Sequence, residues 1–227
     1  MNRNYCLSTL FGASIRNSAP RGLRSACLLV AALCLTGGAA SAQQNLIRNP
    51  GFEEELSNWS AFVPGTTPRE VCKWELSSEQ PHSGAKCLHL QALKPERFAM
   101  NSNMMQVQAG QRYKVSAWVR VPAGFAVAPG TPGVLVRVDF PSKENTFWKD
   151  LVIVTLGEKV GLVPNISKLA NNAFPAEWTR MSGVFQVPQG VTQMNVELFM
   201  WSGAGDSYWD DIELLQVDAA TPLSPLQ

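Results

Sequence analysis

The sequence is poor in the residues that mark many enzymes and polyanion-binding proteins. Its 227 residues include only two histidines, and 19 lysines and arginines are almost balanced by 18 aspartates and glutamates. A net charge of +1 gives no field that would draw the chain to nucleic acid or to an anionic membrane. The motifs GxxxxGK[ST], GxGxxG, HExxH and GxSxG are also missing. These absences disfavour nucleic-acid partners and favour a binding protein over an enzyme.

The first 42 residues have the composition of a secretory signal peptide. They contain four arginines and no acidic residue. The apolar run at 26–36 is shorter than the roughly 20 residues that span a membrane, and Ala40-Ser41-Ala42 is a small-residue cleavage site. We predict a signal peptide over residues 1–42, export to the periplasm, cell surface or medium, and no membrane attachment after cleavage. An uncleaved N-terminal anchor is the alternative.

The predicted mature chain contains two cysteines, Cys72 and Cys87. Each lies in a strand-like segment, and a turn-rich stretch at 78–84 separates the two segments. A hairpin centred between Glu79 and Gln80 would place Cys72 opposite Cys87. Because exported proteins meet an oxidising compartment, we predict a structural disulfide between them, which would contribute about 3 kcal/mol.

Most of the remaining chain alternates apolar and polar residues with a period of two, as half-buried strands do. The predicted core rows are Tyr113, Val115, Ala117, Val119 and Val121; Val134, Val136 and Val138; and Met194, Val196, Leu198 and Met200. Further strands are predicted at 45–48, 97–107, 151–155, 179–187 and 207–217.

Many short strands and no convincing long amphipathic helix predict an all-β fold. For a domain of this size we expect a two-sheet antiparallel β-sandwich of the jelly-roll type over residues 43–217. The last residues, 218–227, are predicted to be a disordered tail.

The outward rows of these strands combine aromatic with charged side chains. Sugar rings stack their C–H faces on indole, and their hydroxyls bond to carboxylates, amides and guanidinium groups. We therefore predict a carbohydrate-binding cleft on one sheet face. Its predicted residues are Trp118, Arg120, Arg137, Glu197 and Trp201. The alternative is that loops cover this face and its aromatic residues form a minor core.

Several sequence blocks resemble carbohydrate-binding module families 4, 9 and 22, which include cellulose- and xylan-binding modules. The blocks are NLIRNPGFE at 45–53 with Trp59, HSG at 82–84, YKVSAWV at 113–119, EWTRMSG at 177–183 and YWDDIEL at 208–214. The resemblance implies a two-sheet jelly roll that binds glycan chains and has no catalytic activity of its own.

The resemblance also implies a structural calcium ion. Glu53 and Asp210 match the ligand positions of the families, together with oxygens around Gly51 and Ser83. Calcium prefers about six to eight oxygen ligands, which such residues could supply. Two alternatives stay open: Glu53 and Asp210 are solvated surface acids, or Asp211 is the ligand in place of Asp210.

Two stretches, 122–133 and 141–175, are longer than a compact module of this kind needs. Long loops on a β-scaffold are commonly functional, so these could wall the cleft and bring Trp148 to a ligand.

Two other functions are open at this point. A small glycoside hydrolase or polysaccharide lyase could use Asp139 and Glu197 as paired carboxylates. Alternatively, the sandwich could contact proteins, because a fold does not fix a function. The main prediction is a monomer that binds a polysaccharide or oligosaccharide of the β-1,4-glucan, β-1,3-glucan or xylan type.

Overall fold

A computed structural model describes residues 43–141, 152–155, 159–162 and 174–225, with the backbone alone for 155 and 159–162. The predicted signal peptide and Trp148 lie outside these residues. The described chain forms eleven strands and a short 3₁₀ helix at Arg69–Val71. The strands are β1 (Trp59–Phe62), β2 (Cys72–Ser77), β3 (Cys87–Ser102), β4 (Met105–Gln106), β5 (Arg112–Arg120), β6 (Ala126–Val127), β7 (Gly133–Asp139), β8 (Val152–Thr155), β9 (Lys159–Leu162), β10 (Thr179–Gln186) and β11 (Gln193–Val217). Within the described ranges, no helix is long and apolar enough to span a membrane.

The strands pair antiparallel in two layers, and the long strands β3 and β11 contribute to both. In the first layer the order is β1, β3, β11, β7, β8 and β9, with the later part of β3 and the earlier part of β11. In the second layer the order is β2, β3, β11, β5 and β10. This layer contains the earlier part of β3 and the later part of β11. The predicted fold class, an all-β two-sheet antiparallel sandwich, is confirmed.

The core lies between the layers and contains the residues that the alternation predicts. Every member of the three predicted rows is buried and belongs to one large apolar cluster. In β5, for example, Val115, Ala117 and Val119 are fully buried. Alternation places the remaining side chains of these strands on the outer faces of the two layers.

The two layers are connected where β11 bends between them. The register of β11 against β3 shifts between Trp201 and Gly203 and again before Gly205. Phe125, from the first predicted loop, packs against this bend, and a Cβ atom at position 203 would lie 2.4 Å from its Cζ. Glycine is required here because the aromatic ring occupies the space of a side chain.

Two predicted segments differ in the structure. Residues 45–48 are not a strand, although the Leu46 amide donates to the Leu214 carbonyl over 3.0 Å. The segment predicted to be a disordered tail is described as far as residue 225 and is bonded to β10. There the Ser224 amide donates to the Val184 carbonyl at 3.0 Å, and the Val184 amide donates to Ser224 Oγ at 2.9 Å.

The predicted disulfide is wrong, because the hairpin has a different register. Strands β2 and β3 pair with Ser77 opposite Cys87 and with Cys72 opposite Ala92, so the two cysteines lie five residues apart along the ladder. At about 3.3 Å per residue this separation far exceeds the reach of a disulfide. Both thiols are free and buried, and the turn is centred near His82 rather than between Glu79 and Gln80.

Candidate functional site

The five predicted carbohydrate-binding residues are divided between the two layers. Trp118 and Arg120 lie on the outer face of β5, in the second layer, and the other three lie on the outer face of the first layer. Because the shared core separates these outer faces, the structure does not bring the five side chains into one cleft. There are instead two surfaces to consider, one on each layer.

On the first layer, Arg137 and Glu197 form a buried ion pair. They are register partners on β7 and β11, each residue is only 2% exposed, and Arg137 Nε donates to Glu197 Oε2. Burial raises the pKa of Glu197, and the neighbouring guanidinium opposes this shift. Burial likewise raises the pKa of Asp139, the register partner of Asn195. With this degree of burial, Arg137 and Glu197 present almost no surface to a ligand.

A small apolar cluster surrounds this ion pair. Ala99, Leu135, Ile153 and Phe199 are buried, and Trp201 packs against them half-buried. The guanidinium of Arg97 lies 5.6 Å from the ring centroid of Trp201. The aromatic row therefore forms a second, minor core, the alternative that the sequence left open, and Trp201 lies at its margin.

On the second layer, Trp118 lines a cavity of about 280 Å³. Register explains how the cavity forms, since Trp118 lies between Arg180 on β10 and Asp210 on β11. The lining residues are Asn45, Pro50, Trp118, Arg180, Asp211, Ile212 and Glu213. The cavity thus combines one indole ring with a guanidinium group and two carboxylates.

The charged residues of the cavity are held by hydrogen bonds. Arg180 Nη2 donates to Ser116 Oγ at 2.9 Å and also to Glu213 Oε2. The Ser116 hydroxyl donates to the same carboxylate oxygen at 2.9 Å. Arg180 and Glu213 are each a little over one-third exposed, so they are fixed in position yet remain accessible to a ligand.

His82 covers one side of the Trp118 ring. The two rings are stacked with their centroids 3.9 Å apart, and His82 Nδ1 lies 2.6 Å from Asp211 Oδ2. The Ser83 hydroxyl donates to the other oxygen of Asp211 at 2.8 Å. The turn between β2 and β3 therefore fixes the position of the indole ring.

Arg120 packs between aromatic rings beside the cavity. Its guanidinium lies 4.2 Å from the ring centroid of Tyr208 and 5.7 Å from that of Trp178, and Nη2 donates to the Glu79 carbonyl at 3.2 Å. On the other side of Tyr208, His89 stacks at 4.6 Å. The Arg120 guanidinium and the Tyr208 and His89 rings therefore pack against one another. Arg120 does not line the cavity.

The residues predicted to bind calcium lie together at the same turn. Glu53 Oε1 accepts hydrogen bonds from the amides of Ala85 and Lys86 at 2.8 and 3.0 Å. Asp210 Oδ2 accepts from the amides of His82 and Ser83 at 2.9 and 3.1 Å. These bonds tie the N-terminal segment, the turn and β11 together through carboxylate oxygens.

Two observations bear on whether this site suits a cation. Asp210 is fully buried, and burial raises its pKa to about 6, so a positive charge beside it would offset the cost of its ionisation. Gly51 lies close by, since a Cβ there would be 3.5 Å from Asp210 Oδ1.

No three His, Cys, Asp or Glu side chains among the described residues form a group that could hold a metal ion. A calcium ion here would need backbone oxygens in addition to Glu53 and Asp210, which is the composition that the resemblance implies.

Arg180 and Glu213 are not among the residues predicted for the site. Both lie in the sequence blocks at 177–183 and 208–214 and alternate with buried residues of β10 and β11. Their outward position could have been predicted from this alternation. Their proximity to Trp118 could not, because it depends on which strands are neighbours.

The N-terminal part of the described chain is similar to a known family. Residues 44–131 match the family described as "Carbohydrate binding domain". The resemblance to carbohydrate-binding modules is confirmed. The matched part includes Trp118 and the turn that carries His82, whereas Arg180 and Glu213 follow it in the chain.

Solved structures with the same fold include such modules. The xylan-binding domain CBM22-1 of Paenibacillus barcinonensis Xyn10C superposes with a TM-score of 0.52 at 18% identity, covering 80% of this chain and 100% of that one. The CBM22-1 and GH10 modules of Clostridium thermocellum xylanase 10B, solved with xylohexaose, superpose with a TM-score of 0.51 at 12% identity. This superposition covers 79% of this chain and 30% of the xylanase chain. The enzymatically active domain of tailspike protein 4 from bacteriophage CBA120 gives 0.55 at 13% identity.

These similarities are distant and show the fold alone. The superposition with the tailspike protein covers 76% of this chain but only 21% of the tailspike chain. No curated protein matches the sequence. Similarity to carbohydrate-binding proteins beyond the fold therefore rests on the family match over residues 44–131.

Proposed function

We propose that this protein is an exported, non-catalytic module that binds a neutral polysaccharide of the β-glucan or xylan type in the Trp118 cavity. The observation that carries the proposal is the juxtaposition of Trp118 with the partly exposed, ion-paired Arg180 and Glu213. An indole ring provides a stacking surface, and a guanidinium beside a carboxylate offers a donor and an acceptor for neighbouring hydroxyls of one sugar.

The charge and size of the cavity favour a short stretch of neutral glycan. The positive charge of Arg180 is compensated by Glu213, and Asp211 adds a second carboxylate, so an acidic sugar would be repelled. A volume of about 280 Å³ is close to the lower end of the roughly 300–1,000 Å³ of small-molecule sites. We expect a few sugar units to occupy it.

A fluorescence titration with soluble cello-, xylo- and laminari-oligosaccharides tests this site. The chain has seven tryptophans, so a spectral change on binding is expected. Trp118→Ala should weaken binding at least about tenfold, the effect expected of a central aromatic contact. Trp201→Ala removes the same side-chain type from the opposite layer and is the matched control.

Hydrolysis is a less favoured function. Asp139 and Glu197 both have raised pKa values, as a general acid would, but Glu197 is only 2% exposed and is paired with Arg137. Assays of reducing-sugar release and of unsaturated products from a polysaccharide panel test this function. Activity that disappears in Glu197→Ala would contradict the non-catalytic proposal.

The calcium ion remains part of the proposal. Glu53 and Asp210, with backbone oxygens near Gly51 and Ser83, would hold it, and the ion would neutralise the buried Asp210 carboxylate. Calcium should then raise the melting temperature of the wild type, and Glu53→Gln should abolish the rise. Glu54→Gln, at the exposed neighbouring residue, is the control and should keep it.

A further inference from the structure

The two edge strands of the second layer, β10 and β2, differ in how far other parts of the chain cover their backbone. At the β10 edge, the C-terminal segment bonds to Val184 through Ser224, which covers part of the exposed backbone. At the opposite edge, β2 pairs with β3 alone among the described strands. An edge strand presents unpaired N–H and C=O groups that can pair with another chain.

The β2 edge has few features that prevent such pairing. Its six residues contain no proline, and the register with β3 runs without a bulge from Cys72 to Ser77. A cavity of about 280 Å³ runs along Cys72, Lys73, Trp74 and Glu75. Lys73 and Glu75 are both exposed and share the outer face of the strand, where Glu75 Oε1 also lies 3.1 Å from Nδ1 of His89 on β3.

The charges on this edge are complementary to those of a second copy. In an antiparallel pair of β2 strands related by a two-fold axis at Trp74, Lys73 of each copy lies directly opposite Glu75 of the other. Two cross-strand ion pairs then form on one face. Protective edge lysines normally repel a second edge, whereas opposite charges two residues apart attract an antiparallel copy.

We propose that β2 of one copy pairs with β2 of a second copy in this arrangement and extends the second layer across a two-fold axis. The interaction is weak, because a pair of six-residue strands buries less than the roughly 1,000 Å² expected of a stable interface. Dimers should form at high protein concentration or when copies gather on a polymer.

The arrangement has a consequence for ligand binding, which rests on the proposed function. A two-fold axis between antiparallel strands is perpendicular to the sheet, so both outer faces point the same way. The two Trp118 cavities would then face one side, and a polysaccharide could engage both. Such bivalent binding raises avidity without new contacts in either cavity.

Analytical ultracentrifugation over a range of concentrations, without any sugar, tests the dimer independently of the binding site. Lys73→Glu and Glu75→Lys should each weaken self-association on the order of tenfold, because both cross-strand pairs become repulsive. An equimolar mixture of the two variants should restore association, since one edge is then doubly negative and the other doubly positive. Lys114→Glu makes the same change on β5, which lies between β10 and β11 and away from this edge, and it should have no effect.

Circular dichroism checks that each variant is folded, which is expected because both side chains are exposed. Self-association that follows this pattern supports the pairing. A protein that remains monomeric at millimolar concentration overturns it. Association that is insensitive to both charge reversals, or a mixture no stronger than its components, assigns any dimer to another surface and also overturns it.

Discussion

The imidazole ring of His82 lies over the indole ring of Trp118, with their centroids 3.9 Å apart and their planes 19° from parallel. Asp211 holds the imidazole through Nδ1, and the amide of His82 itself donates to Asp210. The proposed sugar-stacking residue is therefore positioned by a turn that is distant from it in sequence. This relationship connects the proposed calcium ligands with the proposed glycan site.

His82→Ala should weaken glycan binding severalfold by freeing the Trp118 ring. The control is His89→Ala, because His89 stacks on Tyr208 in the same layer but does not line the cavity. Fluorescence titration of both variants with the oligosaccharide bound by the wild type gives the comparison. Equal affinities of the two variants would show that the stacking contact does not position Trp118.

The buried Arg137–Glu197 pair should contribute to stability only as a pair. Arg137→Met leaves a buried carboxylate without its partner and should cost about 3–5 kcal/mol of unfolding free energy. The double variant Arg137→Met, Glu197→Met removes both charges and should be more stable than either single variant. Urea unfolding measures all three, and additive losses in the double variant would contradict the coupling.

Cys72 and Cys87 should behave as free, unreactive thiols. Burial raises the pKa of Cys87 to about 11 and also raises the pKa of Cys72, so little thiolate exists near neutral pH. Alkylation should be slow in the native protein and rapid for both residues in denaturant without a reductant. If mass spectrometry finds either residue labelled only after reduction, the β2–β3 register described above is wrong.

Asp139 should make stability depend on pH in a defined direction. Burial raises its pKa in the folded protein, so the folded state binds the proton more tightly than the unfolded chain does. The stabilisation of the folded state that comes from protonated Asp139 is fully present below the pKa of about 4 in the unfolded chain. It is lost as pH rises through the higher pKa of the folded protein. Asp139→Asn should lack this loss.

Urea unfolding of the wild type and Asp139→Asn between about pH 3 and about pH 7 measures the difference. The wild type should lose stability relative to the variant as pH rises through this interval. Parallel pH profiles would contradict the assignment to Asp139.

Alternation of apolar residues was sufficient to predict the core rows and the outward rows of β5, β7 and β11. It was not sufficient to predict the site, because alternation does not reveal which layer an outward row belongs to. Trp118 and Glu197 both face outward. Glu197 lies on β11 before the bend at Gly203, whereas Trp118 pairs with β11 after the bend, so the two residues lie on different layers. Such placement depends on pairing between residues far apart in the chain.

The register of the β2–β3 hairpin also depended on distant residues. The turn is fixed by Glu53 and Asp210, which bond to its amides from outside the hairpin. Gly84 has a φ of +62°, and a Cβ there would lie 2.2 Å from Glu53 Oε1. Local turn propensities contain no information about these contacts, so the predicted centre between Glu79 and Gln80 was displaced.

The comparison of Trp118→Ala with Trp201→Ala in the oligosaccharide titration tests the central claim most directly. We predict saturable binding of one neutral oligosaccharide class by the wild type and by Trp201→Ala, and at least about tenfold weaker binding by Trp118→Ala. Loss of binding in Trp201→Ala alone would place the ligand on the first layer. A flat response of the folded wild type to all three oligosaccharide classes would contradict the proposed glycan site.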